Sequence, residues 1–254
     1  MRSLAILTTL LAGHAFAYPK PAPQSVNRRD WPSINEFLSE LAKVMPIGDT
    51  ITAACDLISD GEDAAASLFG ISETENDPCG DVTVLFARGT CDPGNVGVLV
   101  GPWFFDSLQT ALGSRTLGVK GVPYPASVQD FLSGSVQNGI NMANQIKSVL
   151  QSCPNTKLVL GGYSQGSMVV HNAASNLDAA TMSKISAVVL FGDPYYGKPV
   201  ANFDAAKTLV VCHDGDNICQ GGDIILLPHL TYAEDADTAA AFVVPLVSHH
   251  HHHH

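Results

Sequence analysis

The sequence predicts an α/β fold, a mainly parallel sheet with helices on both faces, and three features lead there. Short, largely apolar and β-branched runs occupy 82–87, 157–160, 187–191 and 208–211, without the polar alternation of a half-exposed strand. Segments with helical spacing, 101–112, 136–150 and 166–177, lie between them. Strand and helix alternate to the end of the chain, which is the pattern of a sheet covered on both sides. Neither a repeat nor a low-complexity linker interrupts it, so one domain is expected.

Taken in order, the chain opens with Arg2, an apolar run from Leu4 to Leu11 and Ala15-Phe16-Ala17, the parts of a signal peptide over 1–17. The run is too short for a bilayer, which needs about 20 residues. Pro19, Pro21 and Pro23 keep the next stretch extended, and Arg28-Arg29 marks a dibasic end to a propeptide over 18–29. A helical extension is expected over 30–78. In 31–45, Trp31, Ile34, Phe37, Leu38, Leu41, Val44 and Met45 share one face, and 51–69 forms a second helix ending at Gly70. The α/β unit follows over 79–248, with a short helical stretch near 200–205 and a closing helix over 236–247. His249 to His254 is an expression tag.

A formal net charge of −11 argues against nucleic acid and anionic surfaces as partners. No second long apolar run exists to anchor the mature chain in a membrane. Six cysteines, Cys55, Cys79, Cys91, Cys153, Cys212 and Cys219, in a secreted chain point to disulfides, in spacings that do not suit zinc. Six cysteines allow 15 pairings, and sequence alone chooses none. No Asn-x-Ser/Thr acceptor occurs.

The most informative segment is Leu158-Val159-Leu160-Gly161-Gly162-Tyr163-Ser164-Gln165-Gly166-Ser167-Met168-Val169. A buried strand runs into Gly-x-Ser-x-Gly and then into a helix, the context of a nucleophile elbow. The serine stands on a strained turn so that its hydroxyl projects above the sheet, and glycines flank it where strand and helix nearly touch. The amide of Gln165, at the helix start, is free to stabilise an oxyanion.

A serine hydroxyl needs a base. His14 leaves with the signal peptide, His171 lies two turns down the helix and points away, and His213 precedes any suitable acid. His229, in a loop after the last strand, sits where the chain order Ser, Asp, His requires the base. Asp193 and Asp216 compete for the acid. Asp216 follows the second strand after the serine and lies between Cys212 and Cys219, where a bridge would hold its carboxylate against the imidazole. Thr90, in the loop after the first strand, offers the second oxyanion donor.

Together, Ala87-Arg88-Gly89-Thr90, Gly162-Tyr163-Ser164-Gln165-Gly166, Cys212-x-x-Gly215-Asp216-x-x-Cys219 and Pro228-His229 resemble the fungal cutinases in order and spacing, from about Cys79 to the last helix. The resemblance implies a three-layer α/β/α hydrolase sandwich that hydrolyses ester bonds of cutin with no cofactor and no metal. It implies Ser164, Asp216 and His229 as the triad and Thr90 and Gln165 as the oxyanion donors. It also implies bridges Cys79–Cys153 and Cys212–Cys219, which leaves Cys55 with Cys91. A secreted monomer acting on cutin polyester or lipid-like esters is the expectation. The chain departs from compact members in its two N-terminal helices, which either cover the catalytic mouth as a lid or pack far from it. The loops 122–125 and 224–227 are expected to border the site with apolar side chains. An acetylxylan esterase, a lipase and a non-catalytic secreted binder on the same scaffold remain as alternatives.

Overall fold

The computed structural model describes residues 31–248; the segments read above as signal peptide, propeptide and tag lie outside the described residues. Strands β1 (Val82–Ala87), β2 (Leu117–Gly121), β3 (Lys157–Tyr163), β4 (Ile185–Phe191) and β5 (Thr208–Val211) form one sheet in the order β2-β1-β3-β4-β5. Every neighbouring pair is parallel. The direction of winding reverses between β1 and β3, so the carboxyl ends of those two strands open a crevice where open α/β sheets place their sites.

Alternate residues of each strand feed opposite layers. Val82, Val84 and Phe86 of β1 pack with Val159, Val189 and Phe191 on one face, against α3 (Gly101–Leu112) and α8 (Ala236–Val243). Leu85 and Ala87 pack with Leu158, Leu160, Val188 and Leu190 on the other, against α5 (Val136–Ser152) and α6 (Gln165–Ser175). Burial on both faces accounts for strands with no polar alternation. The disulfides are Cys55–Cys91, Cys79–Cys153 and Cys212–Cys219.

Five elements depart from the sequence reading. Strand β2 is not evident in the sequence because its five residues, Leu-Gly-Val-Lys-Gly, carry two glycines and a lysine, all poor strand formers. Helices α4 (Val128–Ser133) and α7 (Ala179–Met182) are too short to show a period. The helical stretch expected near 200–205 is instead a set of turns followed by a 3₁₀ turn, Ala205–Lys207. Asn202 there adopts a positive φ of 57°, which ends any right-handed helix. The closing α-helix stops at Val243, and Val244–Leu246 tightens to 3₁₀ around Pro245, which has no N–H to donate.

The N-terminal extension contributes α1 (Ile34–Val44) and α2 (Ile51–Phe69). Helix α1 starts later than its apolar pattern because Ser33 caps it, its Oγ accepting from the Glu36 amide at 3.2 Å. Trp31, just outside, meets Trp103 of α3 edge to face with ring centroids 5.0 Å apart. Helix α2 is capped by Thr50 and ends at Gly70, whose φ of 68° suits glycine. Phe37, Leu41, Ile51, Ala54 and Ile58 join the same core as β1 and α3, so the extension is docked on the sheet domain. Phe37 is fully buried against Trp103, with centroids 4.8 Å apart. Phe37→Ala should therefore cost ~3–5 kcal/mol in denaturant unfolding; a cost below about 1 kcal/mol would mean that α1 is only loosely attached.

Candidate active site

Ser164 stands between β3, the central strand, and α6, at φ 55° and ψ −123°, a conformation that a side-chain-bearing residue rarely adopts. The cause lies in its neighbours. A Cβ on Gly166 would come within 1.8 Å of the Ala87 carbonyl oxygen, and one on Gly162 within 2.7 Å of the Gly166 backbone. Only glycine at both positions lets the start of α6 press against the ends of β1 and β3. That approach drives the serine outward at the crevice.

His229 Nε2 lies 3.0 Å from Ser164 Oγ, and His229 Nδ1 lies 2.8 Å from Asp216 Oδ2. Ser164, His229 and Asp216 are all buried. Burial alone would raise the Asp216 carboxyl. Hydrogen bonds from His229, Tyr232 and the Ile218 amide outweigh it and hold the group below the ordinary carboxylate range. The Cys212–Cys219 bridge closes the short loop that carries Asp216. His229 sits in a 3₁₀ turn behind Pro228, and its backbone carbonyl accepts from the Tyr163 hydroxyl at 2.7 Å while the Tyr163 ring stacks on the imidazole.

The other candidates form separate pairs. His171 Nε2 meets Asp193 Oδ2 at 2.7 Å in the core. His213 Nε2 meets Asp235 Oδ2 at 2.5 Å. Neither ring is hydrogen-bonded to Ser164.

Thr90 is buried at the end of the β1 loop, and its Oγ1 accepts from the Gln165 side-chain amide at 2.9 Å. That leaves the threonine proton available to another acceptor. Gln165 Nε2 also donates to the Ser127 carbonyl, and Gln165 Oε1 accepts from Ser135. The Gln165 side chain is thus spent on holding the loop. Its backbone amide, in the first turn of α6, has no carbonyl one turn earlier to bond. Arg88 fixes the same loop by donating to the Asp92 and Tyr124 carbonyls, each at 2.7 Å. Val122 and Tyr124, expected to border the site, are instead buried in the core, and the Tyr124 hydroxyl donates to the Arg88 carbonyl.

Above the serine is a cavity of only ≈ 10 Å³, about the room for one water. Ile51 and Ile58 of α2 form part of its lining, with Thr90, Tyr163, Ile225 and His229. The larger opening, ≈ 440 Å³ between Phe131, Leu132, Met168, Tyr195 and Asp223, is an open groove whose lining does not include the serine.

Tyr232 escaped the sequence reading, since a lone tyrosine three residues after a histidine carries no motif. It is fully buried, and its hydroxyl donates to Asp216 Oδ2 at 2.5 Å while accepting from the His213 amide at 3.1 Å. The His213 ring stacks on it with centroids 4.1 Å apart. The hydroxyl shares Asp216 Oδ2 with the imidazole and spreads its charge. Tyr232→Phe keeps the packing and removes that donor, so Asp216 should hold the His229 proton more strongly. The acid limb of kcat/KM should move to higher pH, with kcat down about tenfold; unchanged profiles would show that the hydroxyl serves packing alone.

The sheet, the strained serine and its hydrogen-bonded histidine and carboxylate define an α/β hydrolase of the serine type. Residues 78–247 match the cutinase family. The cutinase cut1 of Trichoderma harzianum is 83% identical over 248 residues, 98% of this chain and all of that protein. The cutinase pbc1 of Pyrenopeziza brassicae is 48% identical over 202 residues, covering 79% of this chain and 96% of its own. The chain belongs to the cutinase family, whose members are carboxylic ester hydrolases. Among solved structures, an acetylxylan esterase superposes with a TM-score of 0.55 at 22% identity, over 67% of this chain and all of its own. A cutinase-like protein from Cryptococcus sp. gives 0.54 at 22%, over 68% and 98%. At that identity the likeness speaks for the fold. The family match begins at residue 78, so α1 and α2 lie outside it.

Proposed function

We propose that the chain is a secreted serine esterase that cleaves cutin and short- to medium-chain acyl esters through an acyl-enzyme on Ser164. The relay from Ser164 through His229 to Asp216, at 3.0 and 2.8 Å, is the observation that carries this reading. Ser164 Oγ attacks the ester carbonyl while His229 takes its proton, and Asp216 holds the imidazole in position and balances its charge. The Thr90 hydroxyl and the Gln165 amide receive the oxyanion. His229 returns the proton to the leaving alcohol, and water then repeats the cycle in reverse to free the acid.

Ile51, Ile58, Leu99, Ile225 and Leu230 around the cavity supply the apolar surroundings an acyl chain needs. An acetylated sugar would call for polar and aromatic groups. Among the described residues no helix is long and apolar enough to cross a membrane, and the three disulfides suit an oxidising compartment.

Hydrolysis of p-nitrophenyl esters from acetate to palmitate tests the reading. A maximum between butyrate and octanoate, lowered about 10⁶-fold in Ser164→Ala, is expected. A maximum at acetate would favour a carbohydrate esterase and one at palmitate a lipase, and no serine-dependent turnover would leave a binding protein.

The N-terminal helices act as a cover over the serine in this proposal. An ester pocket occupies ~300 Å³ or more, far beyond the space now open, so entry requires movement. The cover is tied down by short-range contacts. Gly48 donates to the Ile225 carbonyl at 2.6 Å, Ile51 to Asp223 at 2.8 Å and Ile225 to Asp49 at 2.8 Å, and Thr50 bridges Ile224. Cysteines at positions 50 and 224 stand at a distance a disulfide accepts. Oxidised Thr50→Cys/Ile224→Cys should lose at least about 90% of its turnover and regain it on mild reduction; full activity in the oxidised form would mean that substrate enters without the cover moving.

A further inference from the structure

One buried charge cluster takes no part in the proposed relay. Glu62 of α2 is fully buried, and Asp92, two residues beyond Thr90, is 5% exposed. Their carboxyl groups lie close enough for each to shift the other's protonation. Glu62 Oε1 accepts from the Val98 amide at 3.0 Å, while Glu62 Oε2 has no hydrogen-bond partner among the described residues. Asp92 Oδ2 accepts from the Gly89 amide at 2.8 Å. Two buried carboxylates this close disfavour each other's ionisation, and the pair is most stable holding one proton.

The groups facing the pair decide which partner keeps it. Burial raises the Asp92 carboxyl, but Glu62, the Gly89 amide, Arg88 and His229 pull it back toward the charged form. Among the described residues, the groups that favour a charged Glu62 are the Val98 and Leu99 amides. The nearby Tyr163 hydroxyl is kept protonated by its own burial. Burial first, then the charge and hydrogen bond of Asp92, push Glu62 well above the usual carboxylate range. Glu62 is thus the acid that donates, and Asp92 the anion that accepts.

Two further ties join the same helix to the same loop. Cys55 is bridged to Cys91, and Ser59 Oγ donates to the Cys91 carbonyl at 2.5 Å. Cys55, Ser59 and Glu62 follow one face of α2 at spacings of four and three, and all grip the two residues after Thr90. We propose that Glu62 is a positioning residue for ester hydrolysis: by sharing a proton with Asp92 it clamps the middle of α2 to the oxyanion loop and holds Thr90 in place. The middle of α2 is then a fixed wall of the active site, and movement of the cover is confined to α1 and the turn leading into α2. When the pair gives up its proton to water, two anions face each other, Asp92 is pushed from its contact with Gly89, and Thr90 loses its position.

This rests on the esterase reading. The test compares the wild type, Glu62→Gln, Glu62→Ala and Ser164→Ala on p-nitrophenyl butyrate from pH 5 to 9, with thermal unfolding of each over the same range. Gln keeps the acceptor for Val98 and donates an N–H to Asp92 without titrating. Glu62→Ala should lose about 10- to 100-fold in kcat at little change in KM, as expected of a misplaced oxyanion donor. Glu62→Gln should recover most of that loss and decline less than the wild type on the alkaline side. A raised carboxyl makes the folded state bind more protons than the unfolded chain. The wild type should therefore lose stability as pH rises above the ordinary carboxyl value of 4.5 and through the folded one, and Glu62→Gln should show a flatter dependence. Glu62→Ala with wild-type kcat, or Glu62→Gln with the wild-type alkaline limb and unfolding slope, overturns the proposal. If Glu62→Ala does not fold, Glu62→Gln alone decides. Turnover surviving in Ser164→Ala would instead defeat the esterase reading, while the unfolding comparison still tests the proton pair.

Discussion

The absence of a side chain at Gly166 is the constraint on which the site depends. A methyl group there would strike the Ala87 carbonyl and part the first turn of α6 from the ends of β1 and β3. With α6 displaced, Ser164 would relax from its left-handed conformation and its hydroxyl would leave the reach of His229. The strain at Ser164, of order 1–3 kcal/mol, persists only because Phe191 holds its amide, β3 lies mid-sheet and α6 is buried along its length. A site of this kind is assembled by the sheet, since the histidine lies 13 residues from the carboxylate but 65 from the serine it meets.

Much of this was legible in the residues, and for identifiable reasons. Fully buried strands leave uniform apolar runs, and the serine elbow leaves two glycines at fixed offsets, so both survive as local patterns. His229 and Asp216 could be expected beside Ser164 because chain order along a parallel sheet restricts where the loops after its strands emerge, and the structure brings them there. What stayed hidden is long-range. Strand β2 carries glycine at 118, where a Cβ would come within 2.3 Å of the Pro78 carbonyl, so close packing replaced the residues that signal a strand. Tyr232, Glu62 and the pairing of His171 with Asp193 acquire meaning only when distant segments meet. Helix α1 was shortened by Ser33, whose hydroxyl offers the Glu36 amide a cap where the apolar pattern alone continues back to Trp31.

The extension also alters what the site is made of. Its helices complete the core around Trp103, and α2 lines the space above Ser164. Ile51 and Ile58 of α2 belong at once to the core and to the lining of that space, while the turn at 46–50 is held to the 223–225 segment mainly by backbone hydrogen bonds. Apolar packing, a disulfide and a buried carboxyl pair grip the helix more firmly than those few bonds grip the turn. Attachment is weakest in the turn at 46–50, between the buried Phe37 and Leu41 of α1 and the bridged face of α2, and that is where bending costs least.

The chain contains two tryptophans, and both stand at one junction, Trp31 before α1 and Trp103 within α3, in edge-to-face contact. Every photon of intrinsic indole emission therefore originates where the extension meets the catalytic body. Separating those rings exposes one or both to water and alters their mutual quenching, without any added label. The protein thus carries its own optical gauge of the seating of its first helix, readable in stopped-flow as an ester or a lipid surface is encountered.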